Sequence, residues 1–579
     1  MAKRLVACLV TILVVLLSNQ AVFAQAEDTS SDAPVKHAVK KAETAVSVEN
    51  AIAPTGVAKN WAMFRFDQSH SGYTEERLNF PLKLAWRYTT EIAADNPSAP
   101  SIVDGVVYFC SGHRLYAVDA ATGAQKWRYP NDEPLTAVIK STPLVGEDLV
   151  YFGGGDGKLY AITKDKGTQA WSFSTNGMMN SSPVIDNGIV YIGSSDDRLY
   201  AIDANTGQPK WPGGFRTRDD VSTSPAVSDG LVFFVSNDAV LYSAHTSTGS
   251  IKWTARVATV SRASSPVINE STLYVATGSI LQAYQSQSGR IKWGTKFSSD
   301  ITTIPAVAKE SIYFACDNGK LYALKTDGKL KWKTPVDIGA TAYGSPIISG
   351  DTVFIGANKG ALMAVDAETG KIKWKYTALP SQLDTGKMAY VNIAASPTVS
   401  NGALYALADD GTLYAFRNDM PDNTAPEVIS VYPSRDYLMP GTPPVEMAAV
   451  LSDLGSGINP ETILMQLDGE HVEHKLIAEK GIIYYKTPRT QPVLPLKDGK
   501  HTISVQASDW AGNVLDLKWS FNVDNSLRVA PKPEDENQQG APGMPGGMPG
   551  MPGMPGRPPR MPGGPGGPGG APPMPPPMM

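Results

Sequence analysis

Cysteine is scarce in this chain: three in 579 residues, and one of them, Cys8, falls in the leading segment. That leaves Cys110 and Cys316, so disulfides cannot be the main source of stability in a chain this long, and a large apolar core must supply it. No two cysteines are adjacent and no Cys-x-x-Cys-His occurs, which argues against covalently attached c-type haem. Gly-x-Ser-x-Gly and P-loop signatures are missing as well. The seven histidines assemble no site by spacing. The one close pair, His471 and His474 in "HVEH", falls in an expected strand, where side chains alternate faces, and reads as two surface imidazoles rather than a metal site. Excess charge of either sign is small too: a formal net charge of −5 gives no bulk attraction to nucleic acid or anionic lipid.

Among uninterrupted apolar runs, the leading one, Leu5 to Leu17, is too short for a comfortable membrane span. With Lys3 and Arg4 before it and "SNQAVFA" after it, it reads as a secretory signal peptide, residues 1–24, cleaved after Ala24 or Ala26. The mature chain then has no expected transmembrane span, and its place is the periplasm or the outside of the cell. "LVAC", Leu5 to Cys8, has the form of a lipoprotein cleavage box but leaves almost no apolar segment ahead of the cysteine.

What the chain has in abundance is a period. Trp86, Trp127, Trp171, Trp211, Trp253, Trp293, Trp332 and Trp374 recur about forty residues apart, the spacing of stacked supersecondary units. In step with them run Pro100, Pro143, Pro183, Pro225, Pro266, Pro305, Pro346 and Pro397, most of them closing Ser/Thr-x-Pro-like turns. After each proline come short alternating runs, as in "SSPVIDNGIVYIG" followed by "DDRLYAID", which predict four antiparallel strands per unit. A turn with glycine, "TG" or "DG" in five of the seven, precedes each later tryptophan and suits a hairpin position of positive φ. Four strands in forty residues is a propeller blade. Eight strands resemble "LYAVD", yet only seven are followed by a tryptophan; "LYAFRNDMPD" from Leu413 has none, while Trp86 precedes the first. Ring closure explains both facts if the strand of Trp86 completes the last blade beside Leu413 to Phe416.

The "LYAxDxxTGxxxW" units, with "NWAMFRFDQSHSGYT" (Asn60 to Thr74) ahead of them, resemble the pyrroloquinoline-quinone (PQQ) repeat β-propellers. That family spans PQQ-dependent dehydrogenases and noncatalytic relatives such as the outer-membrane assembly factor BamB. The resemblance implies an eight-bladed propeller over residues 60–420; its repeated residues build blades and say little about activity. The dehydrogenases it includes are known for a Ca²⁺-bound quinone, a catalytic aspartate and often adjacent cysteines beside the cofactor, and here no cysteines are adjacent.

The remaining expectation is an interaction surface. Loops entering the proline-marked strands gather on one face around the channel mouth. There Arg216, Arg218, Asp219, Asp220, Arg256, Arg262, Met178 and Met179 are candidates for partner contact, arginine and methionine being favoured at interfaces. The long insertion from Ala378 to Ser396 adds Lys387, Met388 and Tyr390. Beyond the repeats, residues 423–525 alternate in the manner of an immunoglobulin-like β-sandwich, in which Asp453 and Asp509 could cap their own turns or hold Ca²⁺. Residues 25–59 read as a linker and 526–579 as a disordered Pro/Gly/Met-rich tail. The whole is an all-β chain, expected to be a noncatalytic exported scaffold for a protein or envelope polymer, possessing neither cofactor nor nucleic-acid partner. The alternatives are a periplasmic PQQ- and Ca-dependent alcohol or sugar dehydrogenase, and surface adhesion through the sandwich.

Overall fold

Short runs rich in β-branched and aromatic residues become strands, and turns with glycine or aspartate at positive φ separate them. In the computed structural model, residues 60–91, 98–378, 381–382, 388–389, 391–489 and 494–527 are described. The expected signal peptide, the linker and the tail beyond Leu527 lie outside the described residues. Helix is limited there to two single 3₁₀ turns, Arg262–Ser264 and Ala478–Lys480.

The strands of the repeat region group into successive sheets of four antiparallel strands covering residues 101–129, 144–174, 184–216, 226–256, 267–296, 306–337 and 347–377, the last extended by a fifth, parallel strand, Tyr73–Thr74. An eighth sheet combines residues 398–417 with Lys83–Thr89. In that sheet Trp86 pairs with Ala415 and Tyr88 with Leu413, so the N-terminal strand is the outer strand of the last sheet, as ring closure requires. The chain is thus a β-propeller whose two ends are joined in one sheet.

Seven of the repeat tryptophans, on or just ahead of the outer strands, reach across to the next sheet. Trp86, Trp127, Trp171, Trp211, Trp253, Trp293 and Trp332 donate their indole N–H to the carbonyls of Ala120, Lys164, Ala204, Thr246, Ser286, Thr326 and Glu368, at 2.7–3.2 Å. The indole lies flat on the glycine of the same turn. At Gly289, φ is +70° and an added Cβ would come within 2.5 Å of the Trp253 ring, so both conformation and space demand glycine. The tryptophan is therefore the cement between sheets, with its polar edge satisfied by a turn carbonyl.

Trp374 breaks this rule. The eighth sheet has no turn between its third and fourth strands, because its fourth strand comes from the other end of the chain. Trp374 instead donates to the carbonyl of Ser456 at 3.0 Å, in the C-terminal region, and it is fully buried. Around this contact Trp510 donates to the Lys375 carbonyl at 2.8 Å, the Leu84 N–H donates to the Gly455 carbonyl at 2.9 Å, and Lys359 pairs with Glu479 at 3.3 Å.

That C-terminal region consists of two sheets. One contains Glu427–Tyr432, Glu446–Ser452, Ile482–Lys486 and Lys475–Ile477; the other contains Leu438–Met439, Val514–Val523, Gly499–Asp509, Ile458–Leu467 and Glu470–His471. They share one core that includes Met447, Leu451, Ile483, Val505, Trp519 and Phe521. The turn carboxylates cap their own backbone: Asp453 accepts from the N–H groups of Gly455 and Gly457, and Asp509 from both amide nitrogens of Asn513. The strand expected through "HVEH" ends at His471; His474 lies in the short link before Lys475–Ile477, where burial and the neighbouring His471 hold its pKa low.

Candidate functional site: the axial cup and its loop face

The innermost strand of a propeller sheet has a bare edge facing the axis, and most of these edges are covered by residues 61–74. Backbone N–H groups of Ile102, Val145, Val227, Ile268, Val307 and Ile348 donate to the carbonyls of Trp61, Ala62, Gln68, Ser69, Ser71 and Gly72, at 2.7–2.9 Å. Tyr73–Thr74 then runs parallel to Ile347–Ser349. One segment thus visits six of the eight sheets in turn and plugs the axis.

The side chains of the plug complete the seal. Arg65 is buried and donates to the carbonyls of His70, Pro305 and Pro346. Burial lowers its pKa to about 9, with the charge of Asp67 opposing, so it stays a cation at neutral pH. His70 is held neutral, its pKa lowered to about 3 by burial and by the Arg65 charge, and its Nδ1 faces the Pro266 carbonyl at 3.3 Å. Phe64 stands over His70, with ring centroids 5.2 Å apart in an edge-to-face contact.

Above Phe64 lies a cavity of about 110 Å³ lined by residues from every sheet of the ring. Its wall is built by the residues ahead of the eight prolines, which have two distinct tasks. The hydroxyl two places before the proline pins its own sheet: Ser98, Ser181, Thr223 and Thr303 accept from the N–H of Cys110, Gly193, Val235 and Ala315. The hydroxyl directly before the proline ties one sheet to the previous one. Ser182, Ser224, Ser265, Ser345 and Ser396 accept from the backbone N–H of Thr142, Ser182, Ser224, Ile304 and Ser345, at 2.9–3.0 Å. Lys140, Asn180 and Tyr343 join the lining, and Lys140 is the one charged residue among the described residues there. Sequence reasoning missed Lys140, Asn180, Tyr343 and Phe64; the Ser-Pro pairs were visible, but their division of labour was not.

The expected partner-contact residues are placed unevenly. Arg216, Arg218, Asp219 and Arg256 are exposed, and Asp220 is half-buried. Arg218 and Arg256 both act on Tyr242, whose hydroxyl donates to Asp238 at 2.7 Å; Arg216 sits on a short strand opposite Arg198. Carboxylate oxygens of Asp197, Asp219 and Asp220 lie within 4.8 Å of one another, a grouping with the chemistry to hold a cation. Desolvation raises the pKa of Asp220, the neighbouring carboxylates adding to it. Met178 is 53% exposed, but Met179 is fully buried in the seam between the second and third sheets, packed over Gly153, and is corrected from a contact residue to a core residue. Arg262 lies in the 3₁₀ turn ahead of Pro266 and Met388 in a two-residue strand; Lys387 and Tyr390 lie outside the described residues.

Both remaining thiols are free and buried on the second strands of the first and sixth sheets, neither in the cavity lining. Burial pushes their pKa values up, that of Cys316 to about 12.

The sequence pattern of a family described as outer membrane protein assembly factor BamB matches residues 83–182, 160–300 and 256–424. The chain is 36% identical over 99 residues to the quinoprotein alcohol dehydrogenase PedH of Pseudomonas putida, covering 16% of this chain and 17% of that protein. It is 30% identical over 115 residues to BamB of Moranella endobia, covering 19% of this chain and 30% of that protein. The chain thus matches less than a third of the length of either relative. Among solved structures, the quinohemoprotein alcohol dehydrogenase of Comamonas testosteroni superposes with a TM-score of 0.52 at 15% identity, over 66% of this chain and 83% of the other, a likeness of fold. No helix among the described residues is long and apolar enough to cross a membrane.

Proposed function

The chain belongs to the PQQ-repeat family described as outer membrane protein assembly factor BamB, and from that premise we propose that it is a noncatalytic binding scaffold of the cell envelope. Its loop face docks a protein or an envelope polymer, in keeping with the family's description as an outer-membrane protein assembly factor. The C-terminal sheets are read as an immunoglobulin-like module that extends the scaffold.

The observation that supports this reading is the chemistry of the cup. Ca²⁺ takes six to eight oxygen ligands, carboxylates prominent among them, and among the described residues the cup lining contains no carboxylate and no thiol. Its volume of about 110 Å³ also falls below the roughly 300–1,000 Å³ of pockets that enclose a cofactor-sized ligand. These residues do not fit a calcium–quinone pair.

The identity to a quinoprotein alcohol dehydrogenase favours a second reading, oxidation of an alcohol or sugar with PQQ. Calorimetric titration of the full chain with PQQ in excess Ca²⁺, beside a dye-coupled alcohol and sugar oxidation assay, separates the two. The scaffold reading expects no heat and no turnover. Micromolar binding with turnover replaces it with the second.

A further inference from the structure

The serine ring has donors left over. A hydroxyl has one proton to give and two lone pairs to receive with. Ser182, Ser224, Ser265, Ser345 and Ser396 each use their oxygen to accept a backbone N–H from the previous sheet. Among the described residues none of their protons has an acceptor, and all five serines line the same cavity. Ser182, Ser224, Ser265 and Ser345 are each more than nine-tenths buried, so these protons are offered to the cup and to little else.

The electrostatics agree with the donor count. Among the described residues Lys140 is the single charge in the lining, and no carboxylate of the lining opposes it. Beneath the floor, the Arg65 guanidinium is bonded only to backbone carbonyls, while the nearby Asp67 carboxylate is turned to the N–H and hydroxyl of Ser71. The cup is therefore a cluster of convergent O–H donors with two cations at its rim and base. The group that answers it is an acceptor-only anion, and an ionised carboxylate, with two oxygens and about four acceptor sites, is the side-chain form of one.

We propose that the axial cup is a receptor for one carboxylate side chain, aspartate or glutamate, presented by a protruding loop of a protein partner. This rests on the scaffold reading and names the chemistry of its partner. Size is compatible with a side chain: a cup of about 110 Å³ has room for one such group. The plug makes the cup blind, so a ligand enters from the loop face alone. The apolar groups around the mouth suit a polypeptide better than a free ion: Tyr343, 48% exposed, stands in the lining, and Met178, 53% exposed, lies two residues from Asn180.

Ligand-observed saturation-transfer NMR on the full chain tests this, with the blocked tripeptide acetyl-Gly-Glu-Gly-amide as probe, its Gln counterpart, and inorganic phosphate as competitor. The Glu peptide is expected to bind at least tenfold more tightly than the Gln peptide. Lys140→Met, an exposed change, is expected to erase that ratio while leaving the thermal unfolding of the chain in place. Equal binding of the two peptides, binding of neither, or a ratio untouched by Lys140→Met overturns the proposal. Phosphate displacing the Glu peptide at equal or higher affinity makes the cup a free-anion site and overturns it as well. Turnover with PQQ would sink the scaffold reading but leave the Glu/Gln ratio to be read by itself, so the two failures are distinguishable.

Discussion

Trp253 and Trp374 occupy the same position of the same repeat, and their surroundings differ in one respect. Trp253 rests on Gly289 of the next sheet and donates to the Ser286 carbonyl at 2.7 Å, with part of its ring exposed. Trp374 has no such turn to rest on. It donates to Ser456, and it is buried completely, in edge-to-face contact with Phe416, ring centroids 5.3 Å apart. Each outer tryptophan needs a carbonyl and a flat apolar cover, and the eighth sheet, made from both ends of the chain, lacks the turn that provides them. The C-terminal region supplies the carbonyl, through Ser456, while Tyr376 and Phe416 of the ring cover the indole. Where a repeat is interrupted to close a ring, the unmet requirement of its neighbour is what fastens the next module.

The largest effect that breaks this comparison is expected at Trp374 itself. Trp374→Ala should lower stability by about 3–5 kcal/mol, the range for a fully buried aromatic, whereas Trp253→Ala should lose about half as much; urea denaturation of the two variants measures the difference. Next comes the plug. Arg65→Leu strips the Pro305 and Pro346 carbonyls of their donor and should destabilise by about 2–4 kcal/mol, against a change within about 0.5 kcal/mol for the exposed Arg216→Leu, both read from denaturant midpoints.

A third, smaller contrast isolates the tryptophan seat. Gly105 and Gly289 both have φ above +70° or at it, but nothing lies within 4 Å of a Cβ at Gly105 while the Trp253 ring lies 2.5 Å away at Gly289. Gly105→Ala should lose about 1 kcal/mol from backbone strain. Gly289→Ala should lose about 2–3 kcal/mol, since the indole must also move. Thermal denaturation of the pair tests whether the seat matters beyond the turn.

A fourth contrast is a pH slope at the docking turn. Asp453 has its pKa raised to about 6, chiefly by burial, with the Asp422 and Asp509 carboxylates adding to it. A folded value above the unfolded one means the native state holds more protons between the two. Stability should therefore fall as pH rises from about 4 to about 6 and be level above that, as far as this group is concerned. Asp453→Asn should flatten that part of the curve; an unchanged slope places the titration elsewhere.

Much of the propeller was legible because both its period and the interruption of that period are written in the residues. The missing tryptophan after Leu413 and the surplus one at Trp86 together specify the closing sheet, and they pair as expected. The plug was not legible: residues 61–74 join the ring through backbone carbonyls, which carry no side-chain pattern. Trp374 looks like its seven counterparts in sequence, and only the three-dimensional absence of a turn sets it apart. Met178 and Met179 illustrate the same limit in a loop, where no period tells which of two neighbours turns inward. In the cup, the Ser-Pro spacing was visible, but which hydroxyl serves its own sheet and which serves the next depends on geometry across the axis.

Differential scanning calorimetry of the full chain tests the coupling of ring and C-terminal sheets most directly. If Trp374 and Ser456 join them as one cooperative body, the chain should melt in a single transition whose calorimetric and van't Hoff enthalpies agree, and Trp374→Ala should split it in two. Two separate transitions in the unaltered chain, with Trp374→Ala moving only one of them, would contradict that account.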